Sequence, residues 1–231
     1  MQTADHLQNS SFDLFGIEGL DELVKLNSGL VLLKSQHQSL LFYLVSRIIA
    51  NSVKNNKKVL YLHFVDYHNR YWSINIDNVL GIVQHLKIDL NKFLEMVKVV
   101  RAFTTDQIEE NENWKMIASS VTNRVKVFIV DSLTELYLDN RDVRKLLYVV
   151  GKLKKLCMRN NMLGIILDYL PTYLTYYIAN SSTAILEFSS FQGRVHAILR
   201  KHPSIKEQVK IFTVDSGFQS FRKAGIWRYV K

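Results

Sequence analysis

The chain has 231 residues and a formal net charge of +9, with 30 Lys plus Arg against 21 Asp plus Glu. Hydrophobic residues at 48% and charged residues at 22% are globular proportions, which exclude disorder; 2 Pro and 9 Gly exclude a collagen-like or linker-rich chain. The length suits one domain over 1–231 with short tails at 1–12 and 217–231, and the single Cys157 excludes both an intramolecular disulfide framework and a zinc site needing two thiolates.

Gly29–Leu33 is a short apolar run that predicts a buried strand. Polar Lys34–Ser39 follows, then apolar residues at helical spacing from Leu40 to Val53. Lys58–Phe64 predicts the next strand, Asp77–Leu86 and Leu90–Val97 predict helices, and β-branched Val97–Phe103 a third strand. Asp106–Asn123 is expected to be one helix. Val125–Val130 is almost wholly apolar, as the centre of a parallel sheet covered on both faces requires. Val143–Met158 is an amphipathic helix, with Cys157 on its apolar side and expected to be a buried thiol; Leu163–Leu167 is another apolar strand.

Thr183–Phe188, Gly193–Arg200 and Gln208–Val214 then succeed one another with no helix between them, which predicts an antiparallel set at one edge. The class is therefore α/β, with a mostly parallel sheet flanked by helices. Of the longest apolar stretches, Leu40–Ala50 is broken by Arg47, and Met162–Ile178 by Asp168 and Pro171. Polar Met1–Asn9 has no signal-peptide character. No transmembrane helix, no membrane partner and a cytoplasmic location are expected.

Several segments resemble the ATPase core of the RecA/RadA recombinase family. They are Phe15-Gly16-Ile17-Glu18-Gly19-Leu20-Asp21-Glu22-Leu23, the stretch from Ile88-Asp89-Leu90 to Val97-Lys98-Val99-Val100-Arg101-Ala102-Phe103, and Val127-Phe128-Ile129-Val130-Asp131-Ser132, which is similar to the Walker B strand. Ser182-Thr183, the hairpin through Gly193-Arg194-Val195 and Leu199-Arg200-Lys201, and Phe212-Thr213-Val214-Asp215-Ser216-Gly217-Phe218 complete a resemblance over about residues 13–218. It is to RadA paralogues, of archaeal type, and implies a RecA-like core.

The departures carry the functional expectation. The family's first strand is followed by a glycine-rich loop whose backbone wraps phosphates, whose Lys neutralises them and whose hydroxyl holds Mg²⁺. Here the segment is Lys34, Ser35, Gln36, His37, Gln38, Ser39, with Leu40 and Leu41 about where the Lys and hydroxyl belong and no glycine. It reads as a solvated connection into a helix capped by Ser39 or Gln38, or as a residual anion site at that helix start. The position of the family's water-activating Glu is taken by Val65, with Asp66 one residue on. Asp131 remains alone, as a turn or cap. A degenerate nucleotide site with no cofactor and no hydrolysis is the consequence.

The metal-like residues His63, Asp66 and His68 share no face, so no metal is expected. Glu135–Arg144 looks like a truncated version of one family DNA loop and reads as a solvated helix start. Tyr169, Tyr173, Tyr176 and Tyr177 have the spacing of one helix face, which would bury the rings; exposed, Tyr173 and Tyr176 would stack on bases. Lys152, Lys154 and Lys155 read as a wet helix face. The densest positive charge is at Arg200 and Lys201 and in the aromatic tail with Arg222, Lys223, Arg228 and Lys231. The resemblance with these departures implies a non-hydrolysing accessory protein of homologous recombination and DNA repair. Its partners would be DNA, single-stranded in preference, and a RadA-type recombinase or another paralogue. The alternatives are a RecA-fold scaffold without DNA binding, and a DNA-dependent ATPase whose phosphate loop takes another form.

Overall fold

A computed structural model describes residues 13–17, 19–64, 76–102, 104–121, 125–138, 142–169, 172–191 and 194–213. Eight strands form one sheet: β1 (Gly29–Ser35), β2 (Lys58–Phe64), β3 (Val97–Ala102), β4 (Val125–Asp131), β5 (Leu163–Asp168), β6 (Ala184–Phe191), β7 (Arg194–Lys201) and β8 (Gln208–Thr213). Their order is β3-β2-β4-β5-β1-β6-β7-β8. The five strands expected to be parallel are so. The late strands run antiparallel to one another, but β6 joins β1 in parallel, so the antiparallel edge consists of β7 and β8 added to six parallel strands. The helix between β5 and β6 supplies the crossover that a parallel join requires.

The helices are α1 (Gln38–Lys54), α2 (Ile76–His85), α3 (Leu90–Met96), α4 (Thr105–Glu109), α5 (Asn111–Ser120), α6 (Leu133–Leu138), α7 (Val143–Arg159) and α8 (Tyr173–Ser181). The single helix expected over Asp106–Asn123 is two. Glu110 is extended at φ −60°, ψ 134° and separates them, while Thr104 caps the first by accepting from the Gln107 N–H at 3.3 Å.

The sheet is covered on both sides. Val31 and Leu33, Val59 and Tyr61, and Val127 and Ile129 point to one face, against α1, α2 and α3. Leu30 and Leu32, Leu60 and Leu62, and Phe128 and Val130 point to the other, against α4 to α8. Right-handed crossovers produce this division: the chain leaves β1 toward one end of the sheet and leaves β4 and β5 toward the other.

Two close approaches fix the layers. A Cβ on Gly164 would stand 2.5 Å from Cys157 Sγ and 2.8 Å from Leu30 Cδ1, so α7 sits on β5 only because position 164 has none. Cys157 is accordingly buried, and burial pushes its thiol up to about 12, which leaves it unreactive. On the other face, the segment before β1 is pinned to α1. The Asp21 carboxylate accepts the Ile17 N–H at 2.9 Å and the Phe15 N–H, and Arg47 donates to the Gly16 carbonyl at 2.7 Å. Gly16 is left-handed (φ 61°), with its Cβ position 2.9 Å from Asn51 Oδ1. Among the described residues no helix is long and apolar enough to cross a membrane.

Candidate functional site

In an open parallel sheet, ligands bind outside the carboxyl ends of the strands, where adjacent strands send their connections to opposite faces. Here one such point lies between β1 and β5. Strand β1 leads to α1 on one face and β5 leads to α8 on the other, with Lys34 opposite Asp168 in the register. Of the residues expected to form a degenerate nucleotide site, Lys34–Ser39 lie at the end of β1 and the start of α1, and Asp131 lies at the end of β4, two strands away.

The connection from β1 to α1 is too short to wrap a phosphate. Strand β1 runs through Ser35 and α1 starts at Gln38, leaving only Gln36 and His37. The Ser35 hydroxyl, itself buried, accepts the His37 N–H at 3.0 Å, and the His37 carbonyl accepts the N–H groups of Leu40 and Leu41 at 3.0 and 3.3 Å. Neither Ser39 nor Gln38 caps the helix: both lie inside it, and the cap position is His37, with no side-chain cap bond. Leu40 and Leu41 are fully buried in the core beneath α1, so neither position faces a ligand. Gln36 and His37 are exposed, and Lys34, Gln38 and Ser39 are half-buried.

Asp131 is neither a turn nor a cap; it is the acceptor at the centre of a buried network. Its Oδ2 accepts from the Tyr61 hydroxyl and lies 3.2 Å from His63 Nδ1, and its Oδ1 accepts from the Tyr169 hydroxyl and, at 3.3 Å, from Ser132. Positions 61, 63, 131 and 169 all fall on the α1 side of the sheet, which is why strands β2, β4 and β5 bring them together. Asp131 is completely buried, and Tyr61, His63 and Tyr169 nearly so. Burial first, and then the Asp131 charge, holds both phenols well above their ordinary range, so they keep their protons and donate. Phe42 from α1 packs edge-on against Tyr169 at 5.2 Å between centroids and closes the network from above. A carboxylate offers about four lone-pair positions. Three hydroxyls donate to this one carboxylate, and a His63 ring nitrogen stands beside it.

The opposite face carries Asp168 and the start of α6. Thr134 Oγ1 lies 3.0 Å from Glu135 Oε2 and 3.4 Å from Asp168 Oδ1. Glu135 Oε1 is buried without a hydrogen-bond partner. Burial, and secondarily the charges of Asp131 and Asp168, raise Glu135 to about 7. The reading of Glu135–Arg144 as a solvated helix start therefore fails at its first residue. Leu133, Leu136 and Tyr137 anchor α6 in the core. It holds where α7 begins: Asp142 caps that helix by accepting the N–H groups of Arg144 and Lys145 at 3.1 and 3.2 Å.

The residues expected to touch nucleic acid fall into three groups. Tyr173 and Tyr176 are 48% and 67% exposed on α8, so these two rings are available rather than buried. Tyr169 precedes the helix and is the one tyrosine of the four in the core, which corrects the single buried face read from their spacing. Arg200 and Lys201 are exposed but engaged. Arg200 bonds Glu187 at 2.9 Å and Glu207 at 2.7 Å, and Lys201 donates to the Asn180 carbonyl at 3.0 Å at the end of α8. Of the three lysines read as a wet face, only Lys155 is fully exposed. Lys154 donates to the Ser181 carbonyl at 2.9 Å, and Lys152 lies over the Tyr148 ring. Arg222, Lys223, Arg228 and Lys231, together with Val65, Asp66 and His68, lie outside the described residues. Among the described residues no group of three or more His, Cys, Asp or Glu could hold a metal ion.

The sequence did not single out Tyr61, and it gave His63, Tyr169 and Glu135 other roles: a metal-like type, a helix face and a solvated helix start. Tyr61 and His63 sit at i and i+2 before the strand end, a signal that was present but indistinguishable from core filling. The chain matches no protein-family model, and no curated protein matches it.

Proposed function

We propose that the chain is a RecA/RadA-like paralogue that does not hydrolyse ATP and acts as an accessory protein of homologous recombination and DNA repair, binding DNA, a RadA-type recombinase or another paralogue. The observation that carries the non-hydrolysing part is the crevice at β1 and β5. A two-residue turn and two buried leucines stand where a phosphate cradle would be, and buried Asp131 is held by the hydroxyls of Tyr61, Tyr169 and Ser132. A buried carboxylate already held by three protein hydroxyls is poorly placed to ligate a hydrated metal ion. The recombination part is supported by the run of resembling segments, of which Val97–Ala102, Val127–Asp131 and Arg194–Lys201 supply β3, most of β4 and β7, and by the Arg47 bond from α1 to the Gly16 carbonyl.

A second reading, a RecA-fold scaffold that binds no DNA, is favoured by one observation. Arg200 and Lys201, which would grip a phosphate backbone, are already held by Glu187, Glu207 and the end of α8. The two readings part in one experiment. The purified chain is titrated with labelled single-stranded DNA across a salt series, and separately immobilised and challenged with a purified RadA-type recombinase. Accessory function predicts DNA binding that weakens with salt, retention of the recombinase, or both. Neither at low salt would leave the scaffold reading.

A further inference from the structure

Helix α7 carries Arg144, Lys145, Lys152, Lys154, Lys155 and Arg159 and no acidic residue. Its inner side, Leu146, Val149, Val150, Leu153 and Cys157, is buried against the sheet. With 3.6 residues per turn, Arg144, Lys145, Tyr148, Lys152, Lys155 and Arg159 fall in one outer stripe roughly 100° wide. Along Arg144, Tyr148, Lys152, Lys155 and Arg159, successive side chains are three or four residues apart, about 4.5–6 Å along the axis. That is a repeat an extended phosphodiester can follow.

Three of these cations are available. Lys145 is bound to Glu109 at 2.8 Å, and Lys152 lies 4.3 Å from the Tyr148 ring centroid and 5.2 Å from that of Trp114. Arg144, Lys155 and Arg159 are exposed and make no ion pair among the described residues. Arg159, in the last turn, suits the helix dipole, but the spacing of the cations does not otherwise serve the helix. Lys152 and Lys155 are like charges at i, i+3, and Lys155 and Arg159 at i, i+4, both of which destabilise a helix. Tyr148, 52% exposed, stands among them as a flat ring already flanked by a cation.

We propose that this face of α7 binds the backbone of single-stranded nucleic acid, with Arg144, Lys155 and Arg159 on phosphates and Tyr148 stacked on a base. The inference rests on the DNA-binding half of the reading above and gives it a surface on α7. A membrane surface suits the helix less well, because its apolar side is spent on the core and none is left for lipid. An exposed aromatic ring among cations is the arrangement by which single strands are held without sequence preference.

The test is fluorescence anisotropy with a labelled mixed-sequence DNA single strand across a salt series. The triple variant Arg144→Gln, Lys155→Gln, Arg159→Gln is expected to weaken binding and to lower the slope of log K against log salt by about 2, three contacts at about 0.7 each. Tyr148→Ala is expected to weaken binding roughly tenfold and leave the slope unchanged. All four sites are exposed, so circular dichroism and Tm should match the parent chain. If the parent binds and a folded triple variant keeps its affinity and slope, the α7 assignment is overturned while DNA binding stands. If the parent binds no strand at low salt, both fall. Binding to phosphatidylserine vesicles without binding to the strand would overturn the assignment in favour of a membrane surface.

Discussion

Replacing Asp131 with alanine is expected to destabilise the fold by about 3–5 kcal/mol, because it strands buried donors rather than removing a ligand to a cation. The hydroxyls of Tyr61 and Tyr169 and the ring of His63 all meet on this one side chain, in a region closed to water. No described side chain is placed to replace it, since α1 covers the group through Phe42. A carboxylate poised for a metal behaves in the opposite way: its removal relieves repulsion and leaves the fold as stable or more so. Chemical denaturation of Asp131→Ala, followed by far-UV circular dichroism, separates the two. A midpoint near that of the parent would mean that the network contributes little and that Asp131 is available for other work. The double substitution Tyr61→Phe, Tyr169→Phe in the Asp131→Ala background should recover much of the loss, because it removes the orphaned donors along with their acceptor.

The second large effect is a pH dependence. Glu135 is held near 7 by burial, against an ordinary 4.5. From about pH 4.5 upward the unfolded chain gives up this proton while the folded one keeps it until about pH 7. The folded state then binds more protons, so stability falls as pH rises through that window; the contribution is whole below it and lost above it. Glu135→Gln, which cannot ionise, should leave stability unchanged near pH 4 and raise it by about 2–3 kcal/mol at pH 8, at 1.36 kcal/mol per unit with an allowance for solvent. Parallel stability curves for the two proteins from pH 4 to 8 would show that Glu135 ionises freely in the fold.

The central strands were readable because β1, β2, β4 and β5 are apolar runs bounded by polar or turn residues, and Lys58–Phe64 has the same limits in sequence and structure. What such runs hide is which strand lies beside which. Strand β6 looks like the start of a meander, yet it pairs in parallel with β1 because α8 carries the chain across. The break at Glu110 carries no Pro or Gly to announce it; one extended residue that both ends α4 and starts α5 is enough. At the site, the missing glycines and the two leucines were visible in the sequence, and their burial follows from helical spacing. The tyrosines were not. Tyr61 lies 70 residues from Asp131 and Tyr169 lies 38 away. A tyrosine in an apolar run shows only its hydrophobic body, because the partner of its hydroxyl is set by strand order.

These features converge on one account of the crevice at the carboxyl ends of β1, β4 and β5: it is filled from within, by Leu40 and Leu41 below the turn and by phenols around Asp131, and has become part of the core. Isothermal titration calorimetry of the purified chain with ATP, in the presence and absence of Mg²⁺, tests this most directly. The account predicts affinity no tighter than millimolar and no dependence on Mg²⁺. Micromolar binding to one site, strengthened by Mg²⁺ and lost in Asp131→Asn, would contradict it.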